Sequence, residues 1–310
     1  MAELISVEDV SPVIGDQVAP LRRVNTGSGR HYYTITDDGI KFYASWTTVI
    51  KRICGTSEHL VKWIADKGYE ESRAYREERA HYGTIMHIII GKFLEKGSYR
   101  IEAVHSEASM YLFNNKLDIS LAEQWTPELK SDLLAFAQWV ADKDVEVIAC
   151  ELPLTYNEHA IAGTIDLVCN LTFNKQRVRA IVDFKSGRKG FFAEHKYQLH
   201  GYRMMWNENF PETPIDMVFN WSPKDWTKAP SYNFENQTDA AERHALLGLL
   251  AQHAALFPDS KPRPVRSITG TVTLGQPTTE NFEFVEVEAF LRAKHGLDST
   301  EDVTDTTDQE

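Results

Sequence analysis

Ala162-Gly-Thr-Ile-Asp-Leu-Val-Cys-Asn-Leu171 and Val178-Arg-Ala-Ile-Val-Asp-Phe-Lys185 are joined by a polar connection, Phe173-Asn-Lys-Gln176. Both runs are rich in β-branched residues and the connection is short, so they read as an antiparallel hairpin. Centring the turn on Asn174-Lys175 sets Asp166 directly opposite Asp183, on the same face of the sheet. Two ionised carboxylates so placed repel each other unless something positive lies between them. Lys185, two residues beyond Asp183, shares that face and is one candidate. A divalent cation such as Mg²⁺, which takes one or two carboxylates plus water and phosphate oxygens, is the other.

Working outward, Val145–Tyr156 is a further strand, and a helix follows the hairpin over about residues 193–207. Asp216–Trp221 is a strand with which Ser231–Phe234 can pair, and Ala240–Phe257 is a closing helix. Upstream, residues 30–45 alternate around an Asp37-Asp38-Gly39 turn and read as a hairpin, followed by Ser45-Trp-Thr-Thr-Val-Ile with threonines suited to capping a helix. Residues 58–96 read as helical, with breaks near Gly68 and Gly83. Residues 104–145 are helical again, with Thr126-Pro127-Glu128 as a helix start and Leu133, Leu134, Phe136, Trp139 and Val140 as an apolar face. No internal repeat is visible. The expected class is α/β (α+β), with a mixed central β-sheet flanked by helices and an N-terminal helical region. The expected organisation is a leader (1–29), a hairpin and helical region covering the active site (30–145), a core (146–257), a C-terminal extension (258–296) and an acidic disordered tail (297–310).

With 310 residues, 42% of them hydrophobic, the chain suits one compact domain with decorations or two small ones. Cys54, Cys150 and Cys169 are widely spaced, which points away from a zinc ribbon or a disulfide framework and toward reduced thiols. No targeting segment or membrane span is expected, and a cytoplasmic protein is the default. The net charge is −12, of which −6 lies in residues 297–310. That argues against broad electrostatic adhesion to nucleic acid but leaves room for a local basic groove.

Four motifs in order carry a family resemblance: Tyr82-Gly-Thr-Ile-Met-His87, Gly163-Thr-Ile-Asp166, Val182-Asp-Phe-Lys-Ser-Gly187 and Tyr197-Gln-Leu-His-Gly-Tyr202. Together they resemble the RecB-like branch of the PD-(D/E)xK nucleases. The N-terminal hairpin with Ser45-Trp-Thr-Thr-Val resembles the start of phage and mitochondrial-genome-maintenance-type exonucleases. The resemblance covers about residues 30–225. It implies a restriction-endonuclease-like core in which Asp166 and Asp183 are acidic metal ligands and Lys185 is the catalytic lysine. It further implies a metal ligand at His87, a backbone-carbonyl ligand at Phe184, and catalytic-site roles for Gln198 and Tyr202, which share one helix face. Glu151 sits where related nucleases often carry an acid. Many relatives have Glu four residues after the helix histidine, where this chain has Gly91. The iron–sulfur members bring four cysteines around the core, so three here imply no iron–sulfur cluster.

The resemblance implies a Mg²⁺- or Mn²⁺-dependent deoxyribonuclease of phage or bacterial type, acting from DNA ends. Its partner is DNA, single-stranded or with a free end; protein partners are not indicated. An endonuclease of the same fold and a non-catalytic DNA-binding or assembly module are the alternatives. Lys62, Trp63, Lys67, Arg73, Arg76 and Arg79 are candidates for a single-strand path, although Glu70, Glu71, Glu77 and Glu78 equally suit a solvated helix face.

Overall fold

The computed structural model describes residues 5–10, 21–26, 29–188, 190–238, 242–258, 261–268 and 282–297. The chain runs β1 (Ile5–Val10), β2 (Leu21–Thr26), β3 (Gly29–Thr36), β4 (Gly39–Ser45), α1 (Trp46–Cys54), α2 (Glu58–Lys67), α3 (Tyr69–Lys96), α4 (Ala103–Asn114) and α5 (Ser120–Asp142). It continues through β5 (Glu146–Tyr156), β6 (Ile161–Phe173), β7 (Gln176–Phe184), α6 (Ala193–Asn209), β8 (Met217–Pro223), β9 (Tyr232–Asn236) and α7 (Glu242–Leu256). It ends in β10 (Val265–Ile268), β11 (Phe282–Val285) and α8 (Val287–Lys294).

Strands β1–β9 form one mixed sheet. The β6–β7 hairpin has the register expected, with Phe173 opposite Gln176 and Leu167 opposite Val182. Its two-residue turn needs left-handed backbone at both central positions, and Asn174 and Lys175 have φ of 49° and 65°. Strand β7 runs parallel to β8, and β9 returns antiparallel, as the pairing of 231–234 with 216–221 anticipated.

The course of β6 positions the site. Along one edge it pairs with β5 from Ile161 to Asn170. Along the other it pairs with β7 only from Leu167 onward, and with β4 only at Ile161 and Ala162. Strands β4 and β7 therefore share an edge and splay apart over residues 163–166, leaving a fork with Asp166 at its inner end.

Helices cover both faces. One core joins α3, α4 and α5 to Leu167, Cys169, Val182, Phe184 and Trp221. The other joins α1, α6 and α7 to Ile165, Val168, Ile181 and Val218. Period-two alternation along β7 thus turns Phe184 toward α3 and α5, and Asp183 toward α6.

Several expectations need correction. The 1–29 leader contains two paired strands, β1 and β2. The 258–296 extension includes the β10–β11 hairpin and α8, whose Val287 and Leu291 pack on Val24, Tyr33 and Phe42. Its short amphipathic helix covers the outer face of the N-terminal strands. The tail lies outside the described residues after Leu297. Gly68 breaks the long helix at φ 89°, but Gly83 lies inside α3. Pro127 falls within α5, which starts earlier at Ser120, where Asp118 accepts from the Ser120 N–H at 2.9 Å. Leu134 is 50% exposed because 100° per residue turns it away from the face shared by Leu133, Phe136 and Trp139. Ser45, not a threonine, is the N-cap residue of α1, and it makes no side-chain bond to the helix backbone. Among the described residues no helix is long and apolar enough to cross a membrane.

Candidate active site

The fork in β6 opens into a cleft of about 400 Å³ lined by residues of β2, β3, α3, β5, β6, β7 and α6. His87, Glu151 and Asp166 bring one ligand atom each to within 4.8 Å of one another. His87 Nδ1 lies 3.4 Å from Glu151 Oε1 and 3.7 Å from Asp166 Oδ1, and His87 Nε2 lies 3.3 Å from the Phe184 carbonyl. The second Asp166 oxygen accepts the Phe184 N–H at 2.7 Å, which fixes the carboxylate.

Local backbone delivers these groups. Pairing of Cys150 with Leu167 and of Leu152 with Ile165 leaves Glu151 facing Asp166 without a ladder partner. Glu151 has φ 50°, a left-handed conformation unusual for a side-chain-bearing residue inside a strand. The kink shows in the packing: Ala149 and Leu152, three residues apart, both enter the α6-side core. On α3, Gly83 lies against the loop after Lys185. A Cβ there would sit 3.1 Å from Ser186 Oγ, so glycine lets the helix carrying His87 approach the loop. Gly91 faces Cys150, and Glu151 from the neighbouring strand gives His87 its carboxylate partner.

Asp183 is buried deeper and apart from that trio. Its Oδ2 is 2.8 Å from Lys185 Nζ and accepts from Asn220 Nδ2 at 2.9 Å, while its Oδ1 is buried without a donor. Lys185 also donates to Gln198 Oε1 at 2.9 Å, and Gln198 Nε2 donates to Tyr202 Oη at 2.9 Å. Gln198 and Tyr202 therefore meet the lysine from one face of α6. Two glycines allow this. A Cβ at Gly163 would lie 2.7 Å from Tyr202 Cε1, and one at Gly201 would overlap the Trp46 indole. Trp46 Nε1 donates to the carbonyls of Tyr197 and Gln198, locking α1 onto α6.

The electrostatics are those of a crowded acidic site. Burial pushes the Asp166 and Asp183 carboxyls above the usual range, each countered by Lys185 and Asp166 also by His87. Burial opposes charge on His87, but Asp166 and Glu151 outweigh it and hold the imidazole up at about 9. Burial, then Asp183 and Asp166, keep the Tyr202 phenol protonated. Two acids around an imidazolium, with Asp183 nearby on the lysine, form a site in which positive charge is needed. One imidazole, two carboxylates and the nearby Phe184 carbonyl fit a divalent metal ion.

A second groove, of about 1010 Å³, meets the cleft at Ser186. Trp63, Tyr75, Phe192 and Trp226 line it, with Lys67, Arg79 and Arg188. Tyr75, Phe192 and Trp226 are 49%, 59% and 42% exposed, which is unusual for three aromatics gathered in one place. Of the expected strand-path residues, Trp63, Lys67 and Arg79 line this groove. Lys62, Arg73 and Arg76 do not, because helical spacing turns them to the exposed faces of α2 and α3. Arg73 is paired there with Glu70 and Glu77.

Sequence reasoning missed several residues. Asn220 holds Asp183 from its in-register neighbour position on β8. Arg188 donates to Glu128 and Asp132 at 2.7 Å each, tying the loop after Lys185 to α5. Arg23 and Arg30 line the cleft from β2 and β3. A polar Asn in an apolar strand was a readable signal; the others depend on tertiary contacts. His195 Nδ1 accepts the Phe192 N–H, and burial drops its pKa to about 4, so it stays neutral.

A family model described as the PD-(D/E)XK nuclease superfamily matches residues 61–267, more than half of the chain. No curated protein matches it.

Proposed function

The chain belongs to the PD-(D/E)XK nuclease superfamily, and from that membership together with the geometry of the cleft we propose that it is a Mg²⁺- or Mn²⁺-dependent deoxyribonuclease working inward from DNA ends. The observation that carries this reading is the convergence of His87, Glu151 and Asp166 within 4.8 Å, beside a lysine held by Asp183 and Gln198.

His87, Glu151, Asp166 and the Phe184 carbonyl would hold the metal, with Asp183 Oδ1 as a further oxygen donor. When bound, the ion supplies charge neutralisation at the phosphoryl oxygens and a water of lowered pKa. The chain's own residues supply the rest. Asp183 and Gln198 accept from Lys185 and hold its ammonium at the cleft, where a third proton is available to the attacking water or a phosphoryl oxygen. Tyr202 fixes the Gln198 amide, so the lysine's position rests on a chain of committed hydrogen bonds. The aromatic groove supports a single-stranded DNA substrate, since bases stack on aromatic faces while cations track the phosphates.

The test is digestion of end-labelled single-stranded and duplex DNA with and without Mg²⁺ or Mn²⁺. We expect metal-dependent release of short products. Asp166→Ala, Asp183→Ala or Lys185→Ala should each lower cleavage by a factor of about a thousand or more while the protein stays folded. Undiminished cleavage by Asp183→Ala, free of contaminating nuclease, would sink the mechanism.

A further inference from the structure

We propose that Phe192 and Trp226 form a nucleobase-binding site beside the cleft, holding an unpaired base of the strand that enters it. The inference rests on the proposed nuclease activity for its ligand. It goes further in naming the two side chains that select unpaired bases and the force by which they do so.

Both rings are exposed on backbone that is already fixed. Trp226 follows β8, and the residues on either side of it close a turn: the Thr227 N–H and hydroxyl donate to Asp225 Oδ1 at 3.0 and 2.7 Å. Phe192 precedes α6, and its N–H donates to His195 Nδ1 at 3.2 Å while its ring leans on the His195 imidazole at 5.5 Å. The Trp226 indole has neither a ring neighbour nor a side-chain hydrogen bond among the described residues. A large apolar ring presented to solvent from ordered backbone is poorly placed for the fold and well placed for a ligand, because little ordering remains to be done on binding.

The lining identifies the ligand. The cations of the groove already have acidic partners: Lys67 has Glu71, Arg79 has Glu128, and Arg188 has Glu128 and Asp132. What the groove offers in excess is aromatic face, not charge. A flat π-system suits it better than a phosphate. The groove and the cleft meet at Ser186, the residue after Lys185, so a strand in the cleft leads its neighbouring base into the groove. A base within a duplex has both faces covered by its neighbours in the stack, and only an unpaired one can offer a face to Phe192 or Trp226.

The experiment compares three fluorescently labelled probes without divalent metal: a single-stranded oligothymidylate, a strand of the same length with abasic sites in place of the bases, and a blunt duplex. The wild type should bind the oligothymidylate about tenfold or more tighter than the abasic strand. Phe192→Ala and Trp226→Ala should each weaken oligothymidylate binding several-fold, and together about tenfold or more, while binding of the abasic strand and the duplex changes little. The slope of log Kd against log salt should stay the same, since no charge is removed. Trp226→Phe, which keeps a π-face, should retain most of the affinity, and it also gives the answer should an alanine variant fail to fold. Equal losses on oligothymidylate and abasic strands would overturn the site, as would unchanged affinity in the folded double variant. A wild type that does not distinguish the two strands would overturn it too and leave the groove to a different occupant, such as a protein segment. Cleavage by the wild type is scored separately with Mg²⁺. Cleavage with binding that ignores the two rings rejects the base site alone, whereas ring-dependent binding with no cleavage rejects the nuclease reading alone.

Discussion

Glu151 is the residue at which stability and chemistry are most plainly opposed. A side-chain-bearing residue in left-handed backbone costs roughly 1–2 kcal/mol, and this one also brings a third carboxylate toward Asp166 and His87. Glycine adopts the same φ freely but loses more conformational entropy on folding. We therefore expect Glu151→Gly to be no less stable than the wild type, and up to about 1 kcal/mol more stable, in denaturant unfolding without metal. The same variant, and His87→Ala, should need roughly tenfold or more metal for half-maximal cleavage. A Glu151→Gly protein that is clearly less stable and titrates metal normally would show that the carboxylate serves the fold. At this scale the sequence was informative where a short-range rule applied. The Asn174-Lys175 turn was enough to set the β6–β7 register, which pairs as far as Leu167 opposite Val182 and leaves Asp166 and Asp183 just beyond the ladder. Glu151 was visible only as a nearby acid, since its kink depends on which residues β6 offers it. Arg23 and Arg30 carried no signal at all, because their place in the cleft comes from Tyr32 reaching Thr164 across 132 positions of chain.

Between elements, the loop that follows Lys185 is held to the helices by a buried polar network. Arg188 donates to Glu128 and Asp132, Tyr82 Oη donates to Asp132 Oδ2 at 2.6 Å, and Arg79 bridges to Glu128 while lying over the Tyr82 ring. Burial pushes the Asp132 carboxyl from its ordinary 3.8 up to about 6, against the pull of Arg188. An acid with a raised pKa keeps its proton longer in the folded than in the unfolded chain. Its contribution to stability is therefore full below pH 3.8 and is lost as pH climbs through about 6. The gap corresponds to about 3 kcal/mol. The unfolding free energies of wild type and Asp132→Asn should diverge by that order across this window, the wild type losing stability and the variant lacking the slope. Parallel pH curves would place the proton elsewhere in the network. None of this network could be read from the sequence, and neither could the true start of α5. Local rules made Pro127 a first-turn residue, and the helix instead runs through it, with Thr126 Oγ1 bonded back to the Ala122 carbonyl at 2.6 Å. Gly83 misled in the same way: a helix breaker in isolation, it is a point of close approach to Ser186.

Over the whole molecule, the net charge of −12 and the location of the cationic groups bear on how the proposed DNA substrate would enter. A protein that wraps internal duplex needs a wide basic surface. Here Arg23, Arg30 and Lys185 lie in the cleft, while Lys67, Arg79 and Arg188 lie in the groove that joins it at Ser186. The groove is lined by α2, α3, the segment after Lys185 and the first turn of α6, and the cleft by the β2–β3 face, α3, β5, β6, β7 and α6. The exposed aromatics of the groove suit unstacked bases better than a closed duplex. A strand threaded along such a path must present an end. We therefore expect linear DNA with a single-stranded end to be degraded progressively to short products, while covalently closed circles, duplex and single-stranded, survive at the same enzyme and metal concentrations. Nicked circles and circles linearised by a single cut separate access from sequence, since they differ from the closed form only in possessing an end. Cutting of closed single-stranded circles at a rate comparable to linear strands would remove the need for an end and favour an endonuclease built on the same catalytic cleft.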